Sequence, residues 1–380
     1  MLSIVADINI PRVIDAFSSI GHVEVMAAES ITAEICREVD ILLVRSVTRV
    51  NASLLDQSNV AFVGSASAGS DHINQSYLRQ REIAFAHAPG SNADSVVEYV
   101  LTALVRLSAM NRKKLEGLTL GIVGCGNIGG RLARRAPAFG LNVLKNDPPV
   151  ANSGGQGFVD LETVLAESDI LTLHVPKHTD TYHLISDAEL EAIKPGAWII
   201  NAARGDVVNN QALKKAIMCG HIDGCVLDVW ENEPTPDMEL LDITTLGTPH
   251  IAGHSVDGKL WGTIMLYQAV TKHFEIQPTW DYEALLRLDL PEIMTVPLGA
   301  NWLEKFVKHL YNIDSDSKRM RGLLSVPETK IADGFRRLRR TYPPRRAFDL
   351  HILKEVPPSY LDIIRDGLCV SYLYPKDRKK

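Results

Sequence analysis

The chain has 380 residues, 46% of them hydrophobic and 23% charged, and a net charge of -6. Its length allows two or three domains, the acidic balance argues against a general nucleic-acid binder, and no apolar run approaches the roughly 20 residues that cross a bilayer. Five cysteines without a CxxC pair fit reduced thiols in a cytoplasmic setting better than a disulfide framework.

The opening "MLSIVADINIP" has no basic n-region, so it predicts a first strand and not a secretion signal. Through residue 90, "SIVA", "HVEVMA", "DILLVRS", "VAFVGS" and "IAFAHAP" recur about every 20 residues, the rhythm of βαβ units around a parallel sheet. Residues 91–114 predict one long helix, with Ser91 or Asn92 as N-cap. A second strand series follows: "TLGIVG", "NVLKND", "DILTLHVP", "AWIINAA", "GCVLDVW" and "TTLGTPHI". A helix over 255–274 then leads back towards the first sheet. The expected fold is α/β with two doubly wound parallel-sheet domains, one flavodoxin-like (1–92 and 256–280) and one Rossmann (93–255). Residues 281–380 change character and predict a small α+β domain, with isolated strands at "FDLHILKEV" and "CVSYLY".

The second series opens on "GIVGCGNIGG", which sets Gly124, Gly126 and Gly129 in GxGxxG spacing between a strand and a helix. In such a turn the first glycine makes the bend, the second admits a pyrophosphate and the third packs helix on strand. Asn127 and Ile128 open the helix whose N-terminus faces the phosphates. Asp147 ends the next strand, where a carboxylate takes a ribose hydroxyl; Pro148 and Pro149 follow it, so no arginine welcomes a 2′-phosphate. The expected cofactor is NAD. Cys125 reads as a small packing residue without a catalytic partner.

Arg204 after "AWIINAA", Glu233 in "VLDVWENEP" and His250 in "TLGTPH" all fall just beyond strand ends, where a doubly wound sheet binds ligands. With "NAARGDVV", "LDVWENEP" and "TPHIAGHS", the chain resembles the D-isomer-specific 2-hydroxyacid dehydrogenases over about residues 1–275. "ADINIP", "LLVRSVT", "NDPP", "VDGKLWGT" and "RRTYPPRR" narrow the likeness to members that act on a phosphorylated 2-hydroxy acid and carry a C-terminal dimerisation domain.

The resemblance implies that Arg204, Glu233 and His250 are catalytic. The arginine would grip the carboxylate, the histidine exchange a proton with the C2 hydroxyl, and the glutamate orient the ring. It also implies cofactor contacts from Val175, Ala202, Ala203, Asp228 and Gly253, and a substrate role for the first domain. Ser46 and Ser67 are its substrate contacts there, with His254 standing where the nearest pattern has tyrosine. A homodimer follows from the same likeness. Alternatives are another D-2-hydroxyacid dehydrogenase, such as one for 3-phosphoglycerate, or a non-catalytic NAD(H) sensor on this fold.

His250 and His254 lack the HExxH pattern, and His174, His178 and His183 lack partners at ligand spacing, so no metal is expected. The basic run "RRLRRTYPPRR" (336–346) suggests a helix face with subunit contacts and a part in capturing an anionic substrate, not a nucleic-acid module. Neither nucleic acid nor a membrane is expected as a partner.

Overall fold

The computed structural model describes residues 1–288 and 292–372. It divides into two compact units: Met1–Asn92 with the segment beginning at Ser255, and Ala93–His254 with the C-terminal segment.

In the first unit, five parallel strands, β1 (Leu2–Asp7), β2 (Gly21–Met26), β3 (Ile41–Val44), β4 (Phe62–Ser65) and β5 (Ala84–His87), lie in the order β2-β1-β3-β4-β5. This is the flavodoxin-like order. Strands β3 and β4 are buried along their whole length, as sheet strands covered on both faces must be. One cover is the helix Val256–His273, whose Leu266, Tyr267 and Val270 pack with Ile4, Phe17 and Leu43. Its first turn is capped by Ser255, whose Oγ accepts the Gly258 N–H at 2.9 Å.

The second unit holds six parallel strands: β6 (Thr119–Val123), β7 (Asn142–Asn146), β8 (Ile170–Leu173), β9 (Ala197–Asn201), β10 (Ile222–Leu227) and β11 (Leu246–Gly247). Their order, β11-β10-β9-β8-β6-β7, reverses direction between β6 and β8, and that switch point is where the glycine turn lies. All eleven strands of the two series correspond to segments expected from apolar patterning.

The C-terminal segment departs from its expectation. It forms a three-stranded parallel sheet, β12 (Glu292–Met294), β13 (His351–Leu353) and β14 (Ser371–Tyr372), in the order β12-β13-β14. Strand β12 was not among the predicted strands, and Leu373 and Tyr374 of the expected "CVSYLY" strand lie outside the described residues. Three amphipathic helices, Trp302–Leu310, Ile313–Arg321 and Glu328–Arg340, precede β13.

This segment has no separate core. Phe306, Val307, Leu310, Phe348 and Ile364 pack in one cluster with Val100, Leu104 and Leu107 of the long helix Ala93–Asn111. Arg106 ties the same surfaces, donating to Glu304 at 3.0 Å and Asp314 at 2.7 Å. Beneath them Glu98 is buried, its Oε1 accepting the Phe348 N–H at 2.8 Å, while Oε2 has no hydrogen-bond partner.

Burial pushes the Glu98 carboxyl up to about 8 from an ordinary 4.5, against the pull of Arg345 and the Phe348 bond. The folded state therefore holds this proton more tightly than the unfolded chain. Its contribution to stability is complete below the unfolded value and is lost as pH rises through the folded one. The difference in Tm between Glu98→Gln and the parent should widen in favour of the variant from about pH 5 to about pH 8. A difference that stays constant across that range would assign the buried proton elsewhere.

Candidate active site

The three glycines of the turn after β6 do three different things. Gly124 adopts φ 88°, and a Cβ there would meet the His174 carbonyl at 2.7 Å and Val175 at 2.9 Å. A Cβ on Gly129 would lie 1.9 Å from the Gly124 oxygen, so helix and turn touch backbone to backbone. A Cβ on Gly126 would meet no protein atom within 4 Å, and Gly126 and Asn127 are exposed. The turn is thus closed against the protein on two sides and open where a pyrophosphate approaches, with Ile128 half-buried at the start of helix Gly129–Arg135.

Asp147 stands at the end of β7. Its Oδ2 accepts the Cys125 N–H at 2.7 Å and its Oδ1 the Val150 N–H at 3.1 Å, so the acid braces the glycine turn and caps the next helix. Burial pushes the Cys125 thiol up to about 11, with Asp147 adding to it, which leaves the thiol inert. His174 is held neutral, burial lowering it to about 3.

The catalytic candidates leave three neighbouring strands, β9, β10 and β11, with Asn201 beside Leu227 and Leu227 beside Gly247. After β9, the buried Asn201 folds the turn: its Oδ1 accepts the Ala203 N–H at 3.0 Å and its amide donates to the Arg204 carbonyl at 3.0 Å. Ala202 and Ala203 are buried, whereas Arg204 is half-buried, with Nη1 donating to the Ala203 carbonyl at 2.7 Å. Gly205 lets this turn lie against the next one, since a Cβ would fall 2.0 Å from the Trp230 carbonyl carbon. Behind it, Glu231 accepts the Asn210 N–H at 2.9 Å and pairs with His183 at 2.5 Å.

The loop after β11 is organised by Asp228. Its buried carboxylate accepts the Thr248 hydroxyl at 2.6 Å, the Ile251 N–H at 2.7 Å and the Ala252 N–H at 2.8 Å. Tyr99 joins the set through Thr248 at 2.7 Å. His250, between those donors, is held at φ 57°, a left-handed conformation unusual for a histidine. Asp228, expected as a cofactor contact, therefore shapes the loop that carries His250; a carboxylate has further lone pairs for a ligand.

The ring of His250 meets Glu233 through Nδ1 and Oε2 at 2.7 Å, and the other oxygen of Glu233 accepts the Trp230 N–H at 2.9 Å. Burial raises the Glu233 carboxyl, but the His250 charge and hydrogen bond, the Trp230 bond and Arg339 outweigh it and hold the acid below its ordinary value. An ionised Glu233 accepts a hydrogen bond from Nδ1–H and so fixes the ring of His250 with Nε2 as its other nitrogen.

Two C-terminal residues reach this loop without having been singled out from sequence. Arg345 is buried and donates through Nη2 to the Ala252 carbonyl and, at 3.1 Å, to the Ser95 carbonyl, with its guanidinium 4.5 Å from the Tyr311 ring centroid. Arg345 is the exception within the run 336–346, most of which is exposed: it is buried and neutralises carbonyl dipoles inside the unit. Tyr342 meets the His254 ring edge-on at 6.0 Å. Gly253 lies between the clamped Ala252 and His254 and is half-buried. In the first unit, Ser46 is exposed after β3 and Ser67 is half-buried after β4. Among the described residues, no three His, Cys, Asp or Glu side chains are grouped to hold a metal ion, and no helix is long and apolar enough to cross a membrane.

Residues 96–252 match the NAD binding domain of D-isomer specific 2-hydroxyacid dehydrogenase. Erythronate-4-phosphate dehydrogenase of Salinibacter ruber is 42% identical over 97% of this chain and 98% of its own length. The chain belongs to the erythronate-4-phosphate dehydrogenase family. The enzyme of that name from Cellvibrio japonicus is 43% identical over 91% of this chain and 93% of its own. Among solved structures, a D-lactate dehydrogenase of Aquifex aeolicus, complexed with NAD and lactic acid, shares the fold at TM-score 0.61 and 24% identity, covering 72% of this chain and 96% of its own. The TT0316 protein of Thermus thermophilus matches at TM-score 0.63 and 26% identity, over 73% of this chain and 98% of its own. The chain is an NAD-dependent dehydrogenase, and its glycine turn, open at Gly126 and backed by Asp147, fits that cofactor.

The glycines separate binding from folding. Gly126→Ala should leave Tm within about 1 °C yet weaken NAD on the order of tenfold, because its Cβ fills only ligand space. Gly129→Ala should lower both, because its Cβ collides with the Gly124 carbonyl. Calorimetry and NAD titration of the two variants check this; an unaltered NAD affinity in Gly126→Ala would place the pyrophosphate elsewhere.

Proposed function

We propose that the protein oxidises the C2 hydroxyl of 4-phospho-D-erythronate to the 2-oxo acid with NAD, a step in the synthesis of pyridoxal 5′-phosphate. The His250–Glu233 hydrogen bond at 2.7 Å carries this reading, in a chain 42% identical to an erythronate-4-phosphate dehydrogenase over 97% of its length. NAD, when bound, supplies the hydride acceptor.

The chain's own groups do the rest. Arg204, a planar and permanently charged fork, takes the C1 carboxylate and polarises the C2 oxygen. Nε2 of His250 receives the hydroxyl proton as the C2 hydrogen leaves with its electron pair. Glu233 offsets the positive charge that forms on the ring. The products are the 2-oxo acid, the reduced nicotinamide and one proton, which His250 passes to solvent. Ala202, Ala203, Val175, Gly253 and Asp228 line the nicotinamide side in this reading, and Ser46, Ser67 and His254 contact the substrate. Pairing into a homodimer belongs to the same reading, with sedimentation equilibrium as its test.

A panel of 2-hydroxy acids with and without a distal phosphate, followed by NADH absorbance, tests the substrate. The highest kcat/KM is expected for 4-phospho-D-erythronate, and turnover confined to unphosphorylated acids would refute the proposal. Arg204→Ala should lower kcat/KM by roughly 100-fold or more while NAD affinity changes less than about threefold. An equal loss of both would make the arginine a support of the fold.

A further inference from the structure

Arg339 lies in the last turn of the helix Glu328–Arg340, whose Phe335 and Leu338 pack in the cluster that contains Trp230. Its Nε is enclosed with no hydrogen-bond partner, and among the described residues none of its other guanidinium nitrogens has a hydrogen bond or an ion pair. Arg336 pairs with Asp333 and Arg319 with Asp316, Arg337 and Arg340 of the same helix are exposed to water, and Arg345, though its Nε and Nη1 are also enclosed without partners, is held by two carbonyls through Nη2. A guanidinium stays charged at any physiological pH, and enclosing part of it without a counter-charge is unfavourable.

Its location is defined from both sides. Tyr342, a few residues on, meets the His254 ring, and Arg345 grips the Ala252 carbonyl, so the segment from 339 to 345 runs along the loop that carries His250. Arg339 also acts on the charge of Glu233 without bonding to it. A guanidinium without a hydrogen bond or ion pair of its own thus lies on the segment that runs along the His250 loop and bears on the Glu233 charge, and the proposed substrate carries a second anion only a few bonds from the carbon being oxidised.

We infer that Arg339 receives the phosphate of the substrate, so that two arginines divide its two anionic ends: Arg204 the carboxylate and Arg339 the phosphate. This rests on the function proposed above and adds to it the residue that selects a phosphorylated acid. The guanidinium fork matches phosphate oxygens in paired hydrogen bonds, which an isolated ammonium or imidazole does not.

Arg339→Gln and Arg339→Lys, compared with the parent on 4-phospho-D-erythronate and on D-erythronate, decide the matter. In Arg339→Gln the ratio of kcat/KM for the phosphorylated over the plain acid should fall about 10- to 100-fold, mostly through KM, with Arg339→Lys between it and the parent. A loss equal on both acids would mean that Arg339 works through Glu233 and His250, and an unchanged ratio would remove it from the site; either overturns the inference. Inorganic phosphate supplies a readout independent of turnover. It should raise the Tm of the parent and not of Arg339→Gln, while NAD raises both alike. If the parent oxidises no phosphorylated acid, the proposed function fails, and the phosphate titration still judges Arg339: equal stabilisation of parent and variant counts against it.

Discussion

The carboxylate of Asp228 accepts a hydroxyl and two backbone N–H groups from the loop after β11, and the orientation of His250 depends on that set. A loop beyond a parallel strand has lost its ladder partners, and its buried N–H groups must find others. A left-handed histidine costs on the order of 1–3 kcal/mol. Three hydrogen bonds to one buried charge, each worth roughly 1.5–3 kcal/mol, more than offset it. The strain is thereby fixed in place, and the imidazole points at Glu233 with little freedom to turn away.

Around that point the same logic recurs at each strand end. Asn201 folds the arginine turn with its side-chain amide, Asp147 braces the glycine turn, and Glu231 backs the residues behind Arg204. In every case a short polar side chain substitutes for the missing sheet partner.

Much of this was legible in the sequence because it is written locally. Eleven apolar runs became strands, and the glycine spacing, the acid after β7 and the arginine, glutamate and histidine after β9, β10 and β11 each announce themselves within a few residues. What stayed hidden depends on distant partners. Arg345 lies in a run of positive charge that resembles solvated surface, yet it is buried because carbonyls of Ser95 and Ala252 receive it. No local pattern signals a bond spanning such separations. Strand β12 is short and, among the described residues, pairs with β13, nearly sixty residues later. The bracing role of Asp228 was likewise invisible, since "VLDVW" reads equally well as a strand end that faces a ligand.

The core shared by the helix Ala93–Asn111 and the C-terminal helices changes what can be exchanged between relatives. Solved structures of the wider fold match only about three quarters of this chain, so the remainder looks detachable. It is not. A chimaera that joined this nucleotide domain to a foreign tail would strip Val100, Leu104 and Leu107 of their cover and free the Ala252 carbonyl, two residues from His250. Recombination within the family is therefore constrained to move the tail and the surface beneath it as a single inherited block.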